Sequence, residues 1–275
     1  MRSDLAMSDA ASTDSVPVFD TVAVEVVDGR RGTLTLDRPD QLNPLSSHTL
    51  REIAAAARWF DTHPDLRVVV VTGRGRAFSA GADVSSFGER ADIDPRDDAD
   101  AGKSMADAME RMRAVTVARI NGACVGGGLV LAAACDLRVA VDTAYMSIPE
   151  VDLGIPLAWG GIPRLVREIG PALTKELVMT CRPFTPAEAK AAGFLNRVVS
   201  ADRLDDEVDE LVATLLDKPR HPIQSTKAGV NAVTESMVGT GRSWNDVDSL
   251  LTGLRDPEGR ASAAAYLERL KARRR

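Results

Sequence analysis

The stretch VARINGACVGGGLVLAAACDLRVAV, residues 117–141, decides the fold. A β-branched run, Val117 to Ile120, enters a glycine-rich turn, a small-residue helix follows from Gly127 to Cys135, and a second apolar run covers Leu137 to Val141. Strand, helix and strand in so short a span predict a crossover unit with parallel strands. Upstream, Val22 to Val27 and Thr33 to Leu36 flank a turn at residues 28–32 and read as an opening hairpin. Ser46 or Ser47 can cap a helix with Leu50, Ile53, Ala54, Ala57 and Phe60 on one face, and Pro64 stops it before the buried strand Val68 to Thr72. A helix is expected near Lys103 to Met112. From Pro171 onward the pattern is mainly helical, with one further strand near Leu195 to Val199. The expectation is an α/β core over residues 18–201 and a helical lobe over 202–275, with a soft boundary near Asp202.

Composition narrows the function. With 275 residues, 44% of them hydrophobic, the chain can bury a sizeable core. Its 34 basic and 40 acidic residues leave a formal charge of -6, so no broad positive surface exists to neutralise a nucleic-acid backbone. The basic tail, Lys271 and Arg273 to Arg275, reads as a solvated helix end. Cys124, Cys135 and Cys181 are odd in number, widely spaced and set among apolar neighbours, as reduced core residues would be. His48, His63 and His221 are scattered, so no metal site is expected. Residues 1–17 are rich in Ser, Asp and Ala without an apolar core. They read as a disordered leader, neither signal peptide nor membrane span, with Met7 as an alternative start, and a cytoplasmic location is expected.

Three segments bear on chemistry. Residues 75–83 (GRAFSAGAD) follow a buried strand and offer small side chains where backbone amides could approach a ligand, or they make an ordinary tight turn. At Gly126, Gly127 and Gly128 consecutive glycines sit where a helix should begin; exposed helix-start amides favour negative charge, although glycines also permit close packing. In residues 148–156 (IPEVDLGIP), Glu150 lies among apolar neighbours and a rigid proline. A carboxyl in such surroundings leans to its neutral form, as a general acid or base requires, while a capping or ion-paired glutamate is the blander reading. The segment 89–100 between the first two motifs, rich in Asp, Arg and Ala with Pro95 inside it, reads as mobile, either a lid or a solvated insertion.

In this order and spacing, and together with Leu36 to Asn43 (LDRPDQLN) and Arg182 to Val199, these motifs resemble the enoyl-CoA hydratase/isomerase (crotonase) superfamily from about Val22 to Val233. The resemblance implies a crotonase-like α/β fold of repeated β-β-α units with a C-terminal helical lobe. It implies an acyl-CoA thioester as substrate, with coenzyme A arriving as part of it and no tightly bound cofactor, and a homotrimer or dimer of trimers. The amides of Ala80 and Gly127 would hold the thioester oxygen of an enolate. Residues Ala80, Gly81, Ala82 and Asp83 would contact the adenine end of CoA, with Gly126 and Val130 also at the substrate.

Hydratases of this family use two glutamates, and this chain matches one of them. Val130 stands where the first should project, and valine neither orients water nor transfers a proton. Glu150 fills the second position. One carboxylate suffices to move a proton from the α to the γ carbon, so enoyl-CoA isomerisation is the main expectation, with Leu153 to Trp159 as an apolar wall and Val130 keeping the pocket dry. The alternatives are hydration with Asp152 or Asp83 as substitute acid, another crotonase-type reaction, or a non-catalytic acyl-CoA-binding module.

Overall fold

The computed structural model describes residues 16–83 and 94–273; the expected leader lies almost wholly outside them, as do Phe87, expected to help set the pocket depth, and residues 89–93 of the expected lid. β1 (Val22–Val27) and β2 (Arg31–Leu36) form the opening hairpin, and β2 continues in parallel to β3 (Val68–Gly73), β5 (Val115–Ile120), β7 (Leu137–Val141) and β9 (Arg197–Val199). Side chains of β3 and β5 are buried almost throughout, as expected of parallel strands covered on both faces.

Each of the three middle strands is followed at once by a very short one: β4 (Ala77–Ser79), β6 (Ala123–Val125) and β8 (Met146–Ser147). These make a second, parallel sheet in the order β4-β6-β8. A helix follows each pair, α2 (Pro95–Arg111), α3 (Gly127–Ala133) and α4 (Gly161–Thr180), so the β-β-α unit repeats three times. Gly170, at φ 75° and followed by Pro171, breaks α4 into two segments.

α1 (Ser47–Phe60) begins where Ser46 accepts a hydrogen bond from the Thr49 N–H, and all five expected core residues are buried. The acidic segment behaves differently from expectation. Asp94 accepts from Arg96 N at 2.8 Å, Pro95 occupies the first turn, and Asp97 and Asp98 suit the positive helix end, so α2 starts at Pro95 and residues 95–100 are helical. After α5 (Pro186–Ala191), α6 (Leu204–Asp217) buries Leu204, Val208, Leu211 and Val212 in the main core. α7 (Arg220–Met237), α8 (Asp246–Arg255) and α9 (Pro257–Arg273) complete the helical part. No described helix is long and apolar enough to cross a membrane.

Arg138 locks β7 to its surroundings. Its buried guanidinium donates to the carbonyls of Cys135 (2.7 Å) and Phe194 and to Glu168 (2.6 Å). Replacing it with an apolar residue strands those acceptors. Arg138→Met should therefore lower the urea midpoint by the equivalent of about 3 kcal/mol with an unchanged slope, measured by equilibrium unfolding.

Candidate active site

The three motif segments leave the C-terminal ends of the three short parallel strands. Residues 80–83 follow β4, Gly126 and Gly127 follow β6, and Glu150 comes shortly after β8. The first segment is fixed by the early motif. Asn43, fully buried, donates from Nδ2 to the carbonyls of Arg74 (3.0 Å) and Ala77 (2.9 Å), and its carbonyl accepts from Ser79 Oγ at 2.8 Å. Leu45 then pairs with the segment in parallel, donating to Gly81 O at 2.8 Å and accepting from Asp83 N at 3.1 Å.

That pairing decides which amide is free. The Ala80 N–H donates to Leu42 O at 2.8 Å, so it is not available to a ligand oxygen, and Ala80 does not line the cavity. The expectation for Ala80 is corrected on this ground. The Ala82 N–H shares a trans peptide with the Gly81 carbonyl, which accepts from Leu45, so it points away from that pairing. Neither it nor the Gly127 N–H donates to another described residue, and both residues line the cavity that contains Glu150. Gly81 sits against the helix start: a Cβ there would lie 2.7 Å from Val125 O and 3.5 Å from Gly127 N.

Each of the three consecutive glycines makes room for a different neighbour. Gly126, at φ 49°, leaves space for the Glu150 carboxylate, Gly127 for the Trp159 ring, and Gly128 for Ser79, whose Cβ would be 2.9 Å from a substituent. The three glycines therefore permit close packing at the start of α3.

Glu150 is buried, and its Oε2 has no hydrogen-bond partner. Burial in these surroundings pushes its carboxyl up to about 7, opposed only by its own backbone N–H. The turn carrying it is closed by Leu153 N to Pro149 O (3.0 Å) and Ile155 N to Glu150 O (3.0 Å). The C-terminal helices brace it from outside. Gly259 of α9 packs directly on Gly154, Ser262 Oγ donates to Asp152 O at 2.9 Å, and Leu250 of α8 lines the cavity.

The cavity itself measures about 20 Å³, room for about one water molecule. Among the described residues lining it, Glu150 is the only titratable one. Val130 is buried and packs toward the start of α4, where a Cβ on Gly161 would meet its Cγ2 at 2.9 Å, and it is not among the described residues lining the cavity. Asp83 pairs with Arg38 at 3.1 Å and Asp152 with Arg269 at 3.8 Å, and neither lines the cavity. Leu250 was invisible to sequence reasoning, because nothing local in α8 signals where that helix docks.

Elsewhere, Asp20, His48 and Glu52 bring three ligand-type atoms within 4.8 Å of one another, a grouping that histidine spacing did not reveal. Glu52 there already accepts from Asp20 N (2.7 Å) and Thr21 N (2.8 Å), and none of the three lines the cavity.

The chain is similar to known proteins over most of its length. The family described as Enoyl-CoA hydratase/isomerase matches residues 32–274. A probable enoyl-CoA hydratase of Mycobacterium bovis, echA8, is 37% identical over 229 residues, 81% of this chain and 86% of the relative. Crotonyl-CoA hydratase of Syntrophomonas wolfei is 30% identical, covering 87% and 92%. A crystal structure of an enoyl-CoA hydratase from Mycobacterium avium subsp. paratuberculosis superposes with a TM-score of 0.82 at 27% identity, over 90% of this chain and 99% of that one. The β-β-α repeats match the fold expected of such proteins, and the chain belongs to the enoyl-CoA hydratase/isomerase family.

Proposed function

We propose that the protein isomerises enoyl-CoA thioesters, Glu150 taking a proton from the α carbon of a 3-enoyl ester and returning it to the γ carbon. The observation that carries this reading is the cavity whose sole titratable group, among the described residues, is a buried carboxylate with one unpartnered oxygen. The shift of the double bond needs one group that is base and then conjugate acid, and consumes no water. A carboxyl raised to about 7 has both forms accessible near neutrality. The enolate oxygen is held by the amides of Ala82 and Gly127, each such donor contributing about 3 kcal/mol to the transition state. Ile155, Leu157 and Trp159 exclude bulk water. The loop 80–83 borders the CoA moiety. The protein works as a homotrimer or dimer of trimers in the cytoplasm; the exposed Val230, Val233 and Met237 on α7 support an oligomeric contact.

Hydration of 2-enoyl esters is the second reading, favoured by the names of the relatives and by a cavity with space for about one water. It requires a second acid, and the pairing of Asp83 and Asp152 away from the cavity speaks against both.

Glu150→Gln should lower kcat for 3-enoyl-CoA about 10²- to 10⁴-fold with little change in thioester affinity; unchanged turnover would sink the assignment. The pH dependence follows from the raised carboxyl. Below about 7 Glu150 carries its proton and cannot act as base, so kcat/KM of the wild type should fall tenfold per pH unit as pH drops beneath about 7 and level off above it. A fall beginning only near the ordinary carboxylate range would mean that Glu150 is not the base.

A further inference from the structure

Trp159 holds a backbone conformation that bulky residues rarely adopt, with φ at 61°, and Gly160 follows at 67°. Such strain persists only where the surroundings over-determine it. Here the turn is fastened on both sides. The Gly160 N–H donates to Asp246 at 2.8 Å, and Arg164, fully buried, donates to the carbonyls of Trp159 (3.3 Å) and Gly160 (3.2 Å). Arg164 is held in turn by Asp107 (2.9 Å) and Glu110 (2.6 Å) of α2. The indole is thus a fixed wall.

Its position is bought by two glycines on different helices. A Cβ on Gly102 of α2 or on Gly127 of α3 would overlap the ring, so the indole fills the gap between those helices and borders the same cavity as Glu150. With the ring in place only about 20 Å³ remains beside the carboxylate. An acyl chain reaching past the reacting carbons on this side would need the volume the indole occupies.

We infer that Trp159 determines specificity by closing the acyl end of the cavity, restricting the protein to CoA thioesters of short acyl chains. The inference rests on the acyl-CoA reading above and is independent of which reaction Glu150 performs. Apolar pockets discriminate by about 10- to 200-fold per methylene, so one wall residue suffices.

Calorimetric binding of saturated butanoyl-, octanoyl- and dodecanoyl-CoA tests this without any turnover. The wild type should bind butanoyl-CoA at least about tenfold more tightly than octanoyl-CoA. Trp159→Gly, which suits the left-handed backbone, should erase that preference, and Trp159→Phe should reduce it. Gly102→Ala, which drives the indole toward the cavity, should weaken butanoyl-CoA binding about tenfold while Trp159 remains. An octanoyl-to-butanoyl ratio unchanged within about twofold in both Trp159 variants would overturn the inference. If no CoA thioester binds the wild type, the acyl-CoA reading falls with it. Chain-length discrimination in a protein that fails to isomerise would remove only the isomerase reading.

Discussion

Parallel pairing of three strands of two or three residues, β4, β6 and β8, is the constraint on which the site depends. Because the strands run the same way, the segments leaving them emerge side by side, although residues 80, 127 and 150 are far apart in sequence. The strands are too short to be stable alone. Each is carried by the long buried strand before it, so the main sheet fixes where the small sheet lies. A second layer of bonds, from Asn43, Ser79 and Leu45, orients the first segment, and the Gly154–Gly259 packing braces the third.

Electrostatics follow from this geometry. A carboxylate taken from water without a partner favours its neutral form, and Glu150 has neither a described cation beside it nor a hydrogen bond at Oε2. The shift acts against stability above the ordinary carboxylate range: Glu150 contributes fully while protonated in both folded and unfolded chains, and that contribution is lost as pH rises through about 7. The cost accompanies a carboxyl whose proton exchanges near neutrality, as the proposed base requires. The same apolar wall that raises Glu150 also leaves little room for water, so tuning and water exclusion share one cause.

Much of this was legible in the residues. β1 and β7 fall where their β-branched runs predict, and Ser46 is the one of the two expected serines that caps α1. The second sheet was not legible, since Ala77–Ser79, Ala123–Val125 and Met146–Ser147 are small or mixed and too short for alternation to show. The acidic run 89–100 read as a mobile lid or solvated insertion because the start of α2 within it depends on one capping aspartate. At the site, the sequence points to Gly127 and Glu150, which line one cavity, and to Ala80, whose N–H is taken by Leu42, where the geometry favours Ala82. Within a loop of small residues only the pairing with residues 42–45 reveals which amide faces inward. The docking of α8 and α9 on the Glu150 turn likewise depends on tertiary contacts between glycines that carry no local pattern.

The most direct measurement is mass-resolved incubation of the purified protein with 3-enoyl-CoA and, separately, with 2-enoyl-CoA of the same chain length. The one-carboxylate account predicts conversion of the 3-enoyl ester to its 2-enoyl isomer with no mass gain and no reaction of the 2-enoyl ester with water. Gain of one water by the 2-enoyl ester would contradict it, and would require a second acid beyond Glu150.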